Sequence, residues 1–148
     1  MALLITRDPL KSFLENIDRN ENVFFTGSRK FGMENTINIS DYDYVIIKED
    51  WKKIDLGVGL IYNNDEDKYK EFLFKSIHLL LDDKNYNMII VDSVFEFRVW
   101  KYATKRFLTF IEDSKNFDMM RKKENRIKMF ELLKQIYRDY YAAKRNNE

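Results

Sequence analysis

The chain has 148 residues, with 26 Lys and Arg, 25 Asp and Glu, one His, four Gly, one Pro and no Cys. That length suits one domain able to bury a real core, and 45% hydrophobic with 16% aromatic residues excludes a disordered polymer. The missing cysteines exclude a disulfide framework and a thiolate zinc site, and a single histidine, His78, argues against a histidine metal cluster or a Ser-His relay. Net charge is +1 but uneven: residues 1–92 carry 12 Lys/Arg against 17 Asp/Glu, and residues 93–148 carry 14 against 8. Read simply, this gives an acidic and a basic face on one fold. Read functionally, the basic C-terminal half contacts a polyanion or an acidic protein. The opening MALLITRDPL lacks the charged region of a signal peptide, and no apolar run approaches the roughly 18 residues of a membrane span. The expectation is a cytoplasmic protein with no membrane partner.

Asp8-Pro9 is a helix start, an N-cap residue followed by proline at the first helical position. Leu10, Phe13, Leu14 and Ile17 follow at helical spacing, predicting an amphipathic helix to about Arg19. Val23-Phe24-Phe25-Thr26 predicts a short buried strand ending at Gly27. Ser28 then caps one or two helical turns through Met33, and Glu34 to Ser40 is a polar loop. Asp41 through Lys48 predicts a second strand, rich in Tyr, Val and Ile and suited to cover on both faces. A helical turn is expected around Trp51. Gly57-Val58-Gly59-Leu60-Ile61-Tyr62 is compatible with a short strand, and Asn63 to Phe74 with a surface helix. Ser76–Leu81 and Tyr86–Val91, separated by Asp82-Asp83-Lys84-Asn85, predict a hairpin. Ser93 and Glu96 form a capping-box pattern opening a helix through about Ile111. After a break at Asp113-Ser114, a last helix runs to about Ala143, with Ile127, Phe130, Leu133, Ile136 or Tyr137, and Tyr140 as its apolar stripe. This order predicts an α/β (α+β) fold: a single domain over residues 1–148, with a small mixed sheet in 1–92 and helices in 93–148.

The chemistry concentrates in residues 27–43. Side chains alternate along a strand, so Asp41 and Asp43 share a face and form a paired-carboxylate patch suited to Mg²⁺ and phosphate oxygens. Upstream, Gly27-Ser28 offers close backbone approach and a hydroxyl. The string Gly27-Ser28-x3-Gly32-x7-Ser40-Asp41-x-Asp43, placed after an apolar strand, resembles the signature of the nucleotidyltransferase superfamily related to DNA polymerase beta. Within it, the pattern is most similar to small stand-alone nucleotidyltransferase-like proteins, several of them phage-encoded. The stretch Tyr86–Val91 with Phe97, Trp100, Ala103 and Thr104 also looks like that group. The resemblance implies a nucleotidyltransferase-type sheet flanked by helices. It implies that Gly27 and Ser28 grip an NTP triphosphate, with Arg29 or Lys30 steadying its outer phosphates. Asp41 and Asp43 hold Mg²⁺ for in-line attack on the α-phosphate, and Ser40 orients the first aspartate.

Active members carry a third carboxylate on a neighbouring strand, and here that place falls on Asn87. Asparagine cannot take a proton from an attacking hydroxyl. Asp92 has the opposite strand parity, Asp82 and Asp83 belong to a turn, and His78 reads as a structural histidine. The aromatic residues of the last two helices read as core or as an oligomer interface. Three functions follow. One is a Mg²⁺-dependent transfer of a nucleoside monophosphate to a hydroxyl of a protein, RNA or small molecule. Another is a catalytically degenerate binding protein, such as a phage modulator acting in a host cytoplasm. The remaining one is a nucleic-acid-binding module using the basic half. The Asn, Lys, Ile, Asp and Tyr-rich composition fits an AT-rich genome, such as that of a phage.

Overall fold

The computed structural model of the chain describes residues 3–4, 8–34, 41–58 and 74–146. Two compact units divide it, Met1–Phe97 and Arg98–Glu148. The first holds a five-stranded mixed sheet in the order β1-β4-β5-β3-β2. Its strands are β1 (Leu3–Leu4), β2 (Val23–Thr26), β3 (Tyr42–Ile47), β4 (Phe74–Leu81) and β5 (Lys84–Val91). β3 and β5 run parallel at the centre, β2 and β4 lie antiparallel outside them, and β1 adds a short parallel edge beside β4. The sequence reading had no counterpart for β1.

Helix α1 (Asp8–Glu15) and a 3-10 turn (Ile17–Arg19) bring Leu10, Leu14 and Ile17 onto one sheet face. There they meet Tyr44, Ile46, Ile77, Leu79, Met88 and Ile90, together with the fully buried Trp51 of α3 (Lys48–Val58). Strand register puts these sheet residues on one face, the even positions of β3 and β5 with the odd positions of β4, and leaves the odd positions of β3 and β5 for the other face. The expected turn around Trp51 is thus a full helix. Gly57 and Val58 end that helix instead of beginning a strand, and Lys48 opens it instead of closing β3. Gly59–Tyr62, Ser40 and the helix expected over 63–73 lie outside the described residues. Phe74 belongs to β4.

The hairpin is longer and tighter than its sequence suggested. Asp82 and Asp83 alone form the turn, with φ of 49° and 64°, the left-handed pair that a two-residue hairpin turn requires. Ser93 Oγ accepts from Glu96 N–H at 3.2 Å and opens α4 (Val94–Phe110), as the capping pattern predicts.

The second unit corrects the expected last helix. Asp113 caps a separate helix, α5 (Ser114–Met120), accepting from Lys115 N–H at 2.8 Å and Asn116 N–H at 3.3 Å. α6 (Lys123–Asn146) then begins anew. The break is stabilised by side chains that take over carbonyls at the end of α5. Asn125 Nδ2 donates to Met119 O at 2.9 Å, and Arg126 Nη1 donates to Met120 O at 3.2 Å and Arg121 O at 2.6 Å. The inward stripe of α6 is also rotated from the expected one. Phe130 and Tyr137 meet neighbouring rings as expected, but Ile127, Ile136 and Tyr140 are exposed, and Lys134 and Tyr141 join the ring contacts instead. Among the described residues no helix is long and apolar enough to cross a membrane.

Candidate functional site

Strand register assembles a polar row on the sheet face opposite α1. Thr26 of β2 pairs with Asp43 of β3, Asp43 with Asn87 of β5, and Asn87 with His78 of β4. Directly paired residues share a face, so four strands contribute one transverse line of polar groups. Asn87 Nδ2 donates to Asp43 Oδ1 at 2.9 Å. Ser76, two residues before His78 and on the same face, donates its hydroxyl to Asn87 Oδ1. Asp41 stands two residues before Asp43, and its Oδ2 lies 3.3 Å from His78 Nδ1.

Two features of this row bear on chemistry. Beyond Asp43, the same face continues into the buried Val45, Ile89 and Val91. Asp43 itself is largely buried, and its carboxyl is pushed up to about 6. Burial is the largest cause and the Asp41 charge adds to it, while the Asn87 hydrogen bond and His78 oppose it. The Asp41–His78 pair, by contrast, is partly open to solvent, with side chains 36% and 26% exposed.

Gly27 is fitted to Asp43. It adopts φ +84°, and a Cβ placed on it would lie 2.0 Å from Asp43 Oδ2. The turn and the second carboxylate therefore stand directly over one another, and only glycine permits it. The short helix α2 (Gly27–Lys30) follows, with Thr26 at its N-cap. Ser28 is thus inside the first turn, not its cap. Gly32, at φ +71°, closes α2 in a Schellman arrangement: Met33 N–H donates to Ser28 O at 2.8 Å and Gly32 N–H to Arg29 O at 3.3 Å. Both glycines of the sequence pattern thus have a backbone reason. Arg29 and Lys30 lie over the rings of Tyr42 and Phe25, at 4.2 Å and 6.0 Å. Those rings belong to the face opposite Asp43.

Asn87 lies directly beside Asp43 on the neighbouring strand. Asp92 lies past the end of β5 and is exposed, as are Asp82 and Asp83. His78 is the residue that sequence reasoning undervalued. A two-residue turn at 82–83 pairs 81 with 84 and therefore 78 with 87, so the turn position would have placed His78 beside the site.

Comparison of the chain with protein-family models, with characterised proteins and with solved structures finds no match. Among the described residues no three His, Asp or Glu side chains converge closely enough to hold a metal alone. Asp41 and Asp43 supply two carboxylates on one face. That suits Mg²⁺, which takes one or two carboxylates and completes its octahedron with water and substrate phosphates. An open depression of about 400 Å³ along α1, lined by Ser12, Phe13, Asn16, Arg19 and Asn20, shares no residue with this row.

Proposed function

We propose that the sheet unit binds a Mg²⁺-nucleotide and works as a slow nucleotidyltransferase, moving a nucleoside monophosphate from an NTP to a hydroxyl acceptor. The observation that carries this reading is the fit of the Gly27 turn beneath Asp43, which brings a phosphate-approachable backbone against a metal-capable carboxylate. Asp41 and Asp43 would hold the ion. Bound there, Mg²⁺ would neutralise phosphate charge and favour departure of pyrophosphate. Gly27 and Ser28 bring main chain and a hydroxyl to the phosphates. Asn87 orients Asp43 through its amide and accepts the Ser76 hydroxyl, so it fixes geometry and takes no proton. Rate then comes from positioning without a carboxylate base, which supports slow turnover.

The same hydrogen bond favours a second reading, a protein that binds nucleotide without turning it over and acts on a host partner. Calorimetry with Mg²⁺ and a non-hydrolysable NTP, beside a pyrophosphate-release assay, separates the two. Nucleotide binding lost in Asp41→Ala and Asp43→Ala supports the site. Asn87→Asp should raise pyrophosphate release about tenfold or more by supplying a base, while lowering metal-free stability through a second carboxylate beside Asp43. Binding without pyrophosphate in either protein would leave only the second reading. No Mg²⁺-dependent binding at all would remove both.

A further inference from the structure

The second unit carries a surface that the proposed nucleotide site does not use. Tyr102 of α4 meets Tyr137 of α6 with ring centroids 5.1 Å apart, and Tyr137 meets Tyr141 at 4.6 Å. Tyr140 extends this ladder edge-on to Tyr141 at 5.2 Å and is itself 61% exposed. Cations frame the ladder. The Arg106 guanidinium stands 5.4 Å from the centre of Tyr102, and Lys144 Nζ 5.9 Å from that of Tyr141. Arg98 is near enough to Tyr137 to oppose the upward push that burial and the Tyr141 hydrogen bond give its hydroxyl.

Charge along α4 is one-sided. Arg98–Phe110 holds four Lys and Arg and no Asp or Glu, and all four cations are exposed. Arg98, Lys101 and Lys105 follow at helical spacing, so they line one face over about 10 Å. Among the described residues none of these cations, nor Lys144, forms an ion pair. Asp139, beside Tyr140, accepts from Gln135 at 2.8 Å. Over residues 98–148 the balance is 14 Lys/Arg against 7 Asp/Glu.

Unpaired cations alone would suit any polyanion. Cations set around a half-exposed aromatic ladder suit one whose flat groups can stack, because every nucleobase has a π-face and a phosphate beside it. An acidic peptide offers carboxylates but nothing to lie on Tyr140. A duplex offers phosphates with its bases already stacked.

We propose that the tyrosine ladder between α4 and α6, with Arg98, Arg106 and Lys144 around it, is a binding surface for single-stranded nucleic acid. Bases stack on the ladder's open end at Tyr140, and the cations neutralise adjacent phosphates. This stands on different residues from the nucleotide site and does not depend on it.

The test is fluorescence anisotropy of the full chain with labelled oligouridylate and oligothymidylate of about 12 nucleotides, and with a duplex of equal length. Either single strand should bind about tenfold or more tightly than the duplex. Three or four neutralised phosphates predict a log–log salt slope of roughly −2 to −3. Tyr140→Ala should weaken binding about tenfold and leave the slope unchanged, since an exposed ring carries stacking and no charge. The paired change Arg106→Gln with Lys144→Gln should flatten the slope by about 1. Circular dichroism melts of each variant confirm that it folds. The proposal is overturned by absence of binding at roughly 20 mM salt, by equal affinity for duplex, or by a folded Tyr140→Ala that binds as wild type does. Displacement by polyglutamate as effective as by oligonucleotide would assign the surface to an acidic protein and overturn it too.

Discussion

Burial holds the Asp43 carboxyl at about 6, against 3.8 for the free side chain. The fold therefore prefers the neutral acid. Its favourable contribution is complete below the unfolded value near 4 and is lost as pH rises through about 6. The full difference is about 3 kcal/mol, of which about 2 kcal/mol falls between pH 4 and 7. Urea midpoints across that range should show the loss in wild type and not in Asp43→Asn; parallel profiles would contradict the assignment. Mg²⁺-nucleotide affinity should move the other way, weakening below pH 6 as the ligand carboxylate gains its proton. Gly27 is coupled to the same group. Gly27→Ala should cost about 3 kcal/mol or more, from overlap with Asp43 Oδ2 and a disfavoured φ. In an Asp43→Ala background that cost should fall by about 1–2 kcal/mol and not vanish, because the backbone strain and the residue-43 Cβ remain. An unchanged cost would show that the two residues do not meet. Legible in advance were the carboxylate pair and the neutral Asn87; the Gly27–Asp43 contact was not, because it arises from the pairing of β2 with β3.

Element positions followed local rules where short-range chemistry decides them. Ser93 with Glu96 opens α4, and the Tyr-, Val- and Ile-rich runs of β3 and β5 predict their strands. Prediction failed where side chains from farther along the chain end or turn an element. Arg126 and Asn125 separate α5 from α6, and the core of the second unit turns α6 so that Lys134 faces inward. Lys134 is fully buried, 2.6 Å from Glu131 Oε1 and 4.1 Å from the centre of the Trp100 ring. An apolar stripe drawn from hydrophobic letters alone could not include a lysine, although its methylene stem and its charge over a π-face suit that place. Lys134→Met keeps the volume and removes a buried charge, so it should fall within about 1 kcal/mol of wild type or above it. Glu131→Ala leaves the ammonium in place without its carboxylate and should cost about 1–3 kcal/mol. Thermal melts of the two variants decide the matter: a Lys134→Met loss well beyond that of Glu131→Ala would show that the ammonium itself stabilises the fold.

At the scale of the whole molecule, the uneven charge follows the division into compact units. The sheet unit, residues 1–97, has 12 Lys/Arg against 18 Asp/Glu, opposite in sign to the helical unit. The two proposed activities use separate residues, so they should separate by mutation in the intact chain. Asp41→Ala with Asp43→Ala should abolish Mg²⁺-nucleotide binding and leave oligonucleotide affinity within about twofold, while Tyr140→Ala should weaken oligonucleotide binding about tenfold and leave Mg²⁺-nucleotide affinity within about twofold. Loss of both bindings in one folded variant would argue for a single shared site. By itself, the sequence determined the mixed α and β composition, the glycine turn, the carboxylates on one face and the neutral side chain at Asn87. These depend on residue type, on strand periodicity and on distances of a few residues along the chain. Only the tertiary structure decided that Asn87 bonds Asp43, that His78 reaches Asp41, and that four tyrosines from two helices meet among exposed cations. Those contacts join residues far apart in the chain, and strand register and helix rotation set them through burial of the whole unit.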